Sequence, residues 1–193
     1  VSVFASHSVR PTIWQGFLIR LLSTWCCSVW SLNLDPQFPK KKPMLPMSSR
    51  SLRLDCHEAP WSGNFGFGLD TTIAYDVPGA AEHEKITSLG DGVAIKIMDA
   101  SAICDHRMVA FMKKTAEKHK IKWQNEILTA GGTDTANIQR MTPGGSIAGA
   151  FSIPTRHIHQ VIEMVHKKDV SNCIALMQNC LNELDQYNWT FNT

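Results

Sequence analysis

From Thr71 to Leu184, short apolar runs with strand character alternate with stretches whose apolar residues recur at helical spacing. That alternation restricts the chain to an α/β architecture, a sheet with helices on its faces. TTIAYDV reads as a strand ending at Asp76, and GVAIKIMD as a second, with a polar loop over residues 80–91 between them. Asp105 is placed to cap a helix running to about His119, with Met108, Phe111, Met112, Thr115 and Ala116 on one face. Trp123 to Leu128 suggests a third strand, followed by the glycine turn AGGTD. A short helix from Thr133 stops at Pro143 and Gly144, and SIAGAFSIP reads as a buried strand. Asp169 is expected to cap a long helix whose apolar stripe is Val170, Cys173, Ile174, Met177, Cys180, Leu181 and Leu184.

The character of the chain changes near residue 70. Residues 1–69 contain the Pro/Lys-rich stretch PQFPKKKPMLPMSSRS and no sustained helical or strand period. They read as an irregular or unrelated N-terminal segment, with the ordered domain at residues 70–193. A chain of 193 residues, 44% hydrophobic and 19% charged, suffices for one buried core. The formal net charge is +2, and the one basic run, Lys40 to Lys42, is a solvated linker charge, so no nucleic-acid partner is expected. None of the six cysteines forms a CxxC pair, and they read as core residues of a reducing compartment. The apolar stretch Trp14 to Leu32 is interrupted by Arg20 and diluted by serines, which argues against a membrane span or signal peptide.

Ligands of such sheets collect beyond the carboxyl ends of the strands. Asp76 after TTIAY, the GGTD turn after NEIL and His159 after FSIP each take such a position, and a shared edge would bring them together. Asp76 is either a surface aspartate at a strand end or a carboxylate that needs a partner or a metal. His157 and His159 alternate in RHIHQ, so an extended backbone would point both to one side. Histidine is the commonest metal ligand, yet a lone one is as readily structural. Gly131 and Gly132 allow a tight turn, and Asp134 would enter the first turn of a helix, either near a site or simply initiating that helix.

The segments AYDVPGA, GDGVAIKIMDAS, KTAEKHKIKWQNEIL, GGTDTANIQ, GAFSIPTRHIH and IEMVHKKDV follow one another in a characteristic order. Over about residues 70–187 the chain resembles the glutamyl aminopeptidase family, which includes the tetrahedral aminopeptidases. The resemblance implies a partial zinc-peptidase-like sheet flanked by helices and a cytoplasmic enzyme that removes N-terminal residues from peptides. It also implies a homo-oligomer in complete relatives and two divalent metals, zinc or cobalt, per complete site. Each metal has a histidine and a carboxylate, one aspartate bridges the pair, and a glutamate acts as general base on a metal-bound water. Asp76 matches the aspartate ligand of the Ala-x-Asp-Val strand, and His159 the histidine ligand of an Arg-Tyr-Ile-His motif. Gly132 and Asp134 match the Gly-Thr-Asp turn, with a supporting role.

Departures from the pattern are equally specific. The family's first histidine, bridging aspartate and glutamate pair precede Asp76, but residues 1–75 hold no His-x-Asp and no Glu-Glu. Asp55-Cys56-His57-Glu58 lies in unmatched surroundings, Pro78 replaces a threonine and His157 replaces a tyrosine. The resemblance therefore implies a C-terminal portion without the first half, and a chain that alone is inactive or nearly so, with part of its sheet left exposed. A preference for acidic N-terminal residues is implied, with Arg156 either a candidate contact or, at least as readily, a structural residue. Nothing offers the carboxylate pair of a glycoside hydrolase.

Overall fold

The computed structural model describes residues 65–142 and 144–190, together with the backbone of Ser28–Leu32 and Leu45–Met47. The strand β6 (Ile147–Arg156) is buried from Ala148 to Thr155, as its unbroken run of small and branched residues requires. On one side it pairs in parallel with β3 (Phe65–Ile73), and on the other antiparallel with β4 (Val93–Met98). β5 (Trp123–Ile127) runs parallel to β4, while β1 (Ser28–Leu32) and β2 (Leu45–Met47) extend the sheet antiparallel beyond β3. The order is β2-β1-β3-β6-β4-β5, and β7 (Met164–Val165) folds back on the end of β6. An α/β sheet flanked by helices is what the strand and helix spacing predicts.

One face of this sheet builds the core. Phe65, Phe67, Val93, Ile95, Phe151 and Ile153 project from it toward α1 (His106–Lys118) and α3 (Lys167–Glu183). Helix α1 buries Met108, Phe111, Met112, Thr115 and Ala116, the face its spacing predicts, and the Asp105 carboxylate caps it by accepting from Arg107 N. Phe67 and Phe151 stack with ring centroids 5.5 Å apart across the parallel pair. Each fully buried side chain of this size contributes about 2 kcal/mol by leaving water. Cys104, Cys173 and Cys180 are free and buried, and burial pushes the Cys173 thiol up to about 12, so it packs as an inert apolar group. Lys118 and His119 both bond the Glu183 carboxylate, at 2.9 and 2.6 Å, tying the end of α1 to the end of α3.

The other face is approached by α2 (Thr135–Met141). Thr135 lies over Gly68 and Ile138 over Gly66; a β-carbon at Gly68 would come within 2.0 Å of the Thr135 hydroxyl. β3 begins earlier than expected: Gly66 and Gly68 weaken the strand signal of FGFG, yet the close helix needs positions without side chains. Residue 70, expected to separate an irregular segment from the ordered fold, accordingly lies inside β3.

The start of α3 differs from expectation. His166, not Asp169, occupies the cap, accepting from Lys168 N at 3.3 Å. Asp169 is buried in the first turn and accepts from Gly90 N at 2.7 Å and Gly92 N at 3.0 Å. A buried carboxylate is better satisfied by two amides from a distant loop than by one from its own helix. The stripe also shifts: Leu176 is fully buried, whereas Val170, Ile174 and Leu181 are half-buried. The basic run, the stretch before Ser28, Cys26, Cys27, Cys56, the Asp55–Glu58 cluster and Pro143 lie outside the described residues.

Asp169→Ala should lower the unfolding free energy in urea by about 3 kcal/mol, because two buried amides lose their acceptor. Asp169→Asn, which keeps one oxygen, should lose less; a loss under about 0.5 kcal/mol for the alanine variant would sink this assignment. At Asp105, burial alone would raise the carboxylate pKa, but the hydrogen bonds from Arg107 win and hold it below the ordinary aspartate range. Its contribution is therefore present above about pH 4 and lost as pH falls through the folded value. Thermal melts between pH 2 and 6 should show a shallower acid loss in Asp105→Asn than in the native chain; parallel profiles would contradict this.

Candidate functional site

The parallel pairing of β3 and β6 continues to Ile73↔Thr155 and is extended by Ala74 N donating to Thr155 O at 3.0 Å. Both chains then leave the sheet at the same end. Asp76 stands three residues beyond β3, and His159 three residues beyond β6. Two of the three features expected to converge therefore do share one end of the sheet.

The third does not. The GGTD turn follows β5, and β5 with β4 runs opposite to β3 and β6. Gly132 and Asp134 consequently lie toward the other end, where the turn seats α2. Thr133 N donates to the Ser101 hydroxyl at 3.2 Å, and a β-carbon at Gly132 would meet that hydroxyl at 2.8 Å. Asp134 is the residue before α2, its carbonyl accepting from Asn137 N at 3.0 Å. Strand direction cannot be read from apolar runs, so the sequence allowed one edge where the structure has two ends.

Asp76 is held on both oxygens. Arg156 Nε donates to Oδ1 at 2.6 Å and Arg156 Nη2 to Oδ2 at 2.9 Å, while Leu89 N donates to Oδ2 at 2.9 Å. This planar fork is the geometry for which arginine is suited. The Arg156 hydrogen bonds hold the Asp76 carboxyl below its usual range, outweighing the opposing effect of burial. Arg156, read either as a substrate contact or as a structural residue, is thus the partner of Asp76. The available signal was its position at the end of a strand adjacent to the one bearing Asp76.

His159 is placed differently from an extended-strand reading. His157 and His159 have φ of +56° and +64°, so the backbone of RHIH turns sharply and the two imidazoles are not set by strand alternation. Left-handed backbone is unfavourable for both, and such strain concentrates where a fold holds a loop in one shape. The loop is closed by Glu163, whose Oε1 accepts from His159 N at 2.5 Å, and by the Arg156↔Met164 pair of the β6–β7 ladder. His159 itself is exposed.

A second polar group lies under the face that α2 approaches. Lys96 bonds the Glu126 carboxylate, which also accepts from Thr72 Oγ1 at 2.7 Å, and Asp99 Oδ2 lies 3.5 Å from Lys96 Nζ. All three charged side chains are essentially inaccessible, so their mutual pairing is what makes their burial tolerable. Nothing in the sequence marks them as a group: Lys96 interrupts β4, Asp99 follows it, and Glu126 ends a polar run in β5.

The donor set can be tested against a metal centre. Among the described residues no three His, Cys, Asp or Glu side chains are grouped so as to hold an ion. Both Asp76 oxygens already have partners. The described residues do not by themselves fit the dinuclear centre that the resemblance implies.

Comparison with known proteins accords with the fold. The aminopeptidase APDkam598 of the archaeon Desulfurococcus kamchatkensis is 36% identical, with a TM-score of 0.61 over 63% of this chain and 35% of that one. The TET aminopeptidase of Thaumarchaeota archaeon SCGC AB-539-E09 is 30% identical, with a TM-score of 0.64 over 70% of this chain and 37% of that one. The lysyl aminopeptidase of Pyrococcus furiosus is 28% identical over 131 residues, 66% of this chain and 37% of that protein. The chain thus spans little more than a third of the length of these relatives. Residues 60–176 match the M42 glutamyl aminopeptidase family, a match that begins ahead of β3 and ends within α3. The chain belongs to that family.

Proposed function

We propose that this chain supplies the C-terminal portion of the catalytic domain of a metal-dependent aminopeptidase that removes N-terminal residues from peptides. The observation that carries this reading is the placement of Asp76 and His159 beyond two adjacent parallel strands, within the stretch matched to the family. These two residues are the ligands it offers toward a divalent ion, zinc or cobalt. The other ligands and the general base have to come from outside the described residues or from another polypeptide. The implied preference for an acidic first residue needs a free cation at the site, and Arg156 is engaged by Asp76.

A homo-oligomer in the cytoplasm is part of the same reading. Its support is an exposed apolar segment beside His159, where Val161 is fully exposed and Ile162, Met164 and Val165 are about half exposed or more. Among the described residues no helix is long and apolar enough to cross a membrane.

The same geometry favours a second reading for the chain alone, a catalytically inert polypeptide that keeps the family's fold. Both are tested by hydrolysis of leucyl-, glutamyl- and lysyl-p-nitroanilide with added zinc or cobalt. The chain alone should show no metal-dependent turnover. A full-length relative carrying residues 70–187 of this chain in place of its own should be active, and Asp76→Ala or His159→Ala should reduce its rate about 100-fold or more. A folded, active graft indifferent to both substitutions would remove these residues from the site.

A further inference from the structure

Beneath the start of α2 the sheet presents a polar face. Thr72 of β3, Lys96 of β4, Glu126 of β5 and Ser152 of β6 all lie opposite the face that carries Phe67, Ile95 and Phe151. Thr135 of α2 closes over them, its hydroxyl above Gly68 and near Ala150, two residues before Ser152 on β6. Asp99 joins from just beyond β4, its Oδ2 3.5 Å from Lys96 Nζ. Thr72, Lys96, Asp99, Glu126, Thr135 and Ser152 are each 3% exposed or less.

Pairing leaves this layer short of partners. One ammonium faces two carboxylates, and each carboxylate keeps one oxygen without a hydrogen bond, Asp99 Oδ2 and Glu126 Oε2. The hydroxyls of Thr133, Thr135 and Ser152 also have none. Thr133 belongs to the same group of residues, since its amide donates to Ser101 Oγ, which donates to Asp99 Oδ1. All five atoms are thus on one side of the sheet, where a single cause can serve them. Alternate residues on one strand face stand about 7 Å apart, a gap wider than a hydrogen bond and suited to a bridging molecule.

We propose that the layer between α2 and the sheet is a binding site for ordered internal water, which joins these five atoms into one network. Carboxylate oxygens only accept, whereas hydroxyls both donate and accept, so the guest has to donate twice and accept as well. Water does both. A buried water makes about three hydrogen bonds, so about two waters serve the five atoms. They also replace part of the solvation that the second carboxylate loses on burial. The GGTD turn and α2 are thereby seated on a hydrated layer, in contrast to the apolar layer under α1 and α3.

Oxygen-17 relaxation dispersion, which reads long-lived internal water and not exchanging hydroxyl protons, tests this on the native chain, Thr135→Val, Thr135→Ser and Ser152→Ala. Thr135→Val and Ser152→Ala should each lower the dispersion amplitude and raise the unfolding constant in urea about fivefold, because a bonded hydroxyl is lost. Thr135→Ser keeps the hydroxyl and should keep the native amplitude. A high-resolution crystal structure of the native chain reads the same site without a substitution, and water bonded to Asp99 Oδ2 or Glu126 Oε2 is expected. Native amplitude in either folded variant would overturn the proposal, as would a crystal in which the five atoms are dry. So would a lower unfolding constant, the gain expected from deleting an unpaired hydroxyl.

Discussion

The parallel register of β3 on β6, from Phe65↔Ile147 to Ile73↔Thr155, joins segments about eighty residues apart and delivers their ends to one place. The core forms on one face of that pair, where Phe67 stacks on Phe151 beneath α1 and α3. On its other face, glycines in β3 let α2 approach closely. The antiparallel contact of β6 with β4 then reverses direction, so whatever follows β4 and β5 is carried away from Asp76 and His159. The layout of the candidate site follows from these two pairings.

Carboxylates show how the fold handles charge. Asp169, buried in the first turn of α3, takes two loop amides and so pins the 90–92 turn to that helix. Asp99 takes Ser101 and Ala102 amides and the Ser101 hydroxyl on one oxygen, with Lys96 near the other. Asp76 takes a guanidinium. Each arrangement offsets the loss of water, but only the last uses a partner that sits on a partly exposed and rotatable side chain. That difference sets the Asp76 pair apart from the two amide-held carboxylates.

Much of this was readable in advance. The apolar face of α1 and its Asp105 cap followed from spacing, because helical periodicity and capping are local. Asp76 and His159 were placed at strand ends for the same reason, with the family resemblance raising them above ordinary surface residues. What escaped was non-local. The partner of Asp76 lies eighty positions away in sequence, and the amides held by Asp169 almost as far. The reversed direction of β4 and β5 left no mark in their composition, and the Phe-Gly alternation of β3 looked irregular until the helix packed against it was known.

The engagement of Asp76 by Arg156 is the central claim, and an NMR titration of the Asp76 side-chain carboxyl tests it most directly. In the native chain the midpoint should lie below the ordinary aspartate value, and in Arg156→Gln it should rise. An ordinary midpoint that is indifferent to the substitution would mean that the two side chains do not pair in solution.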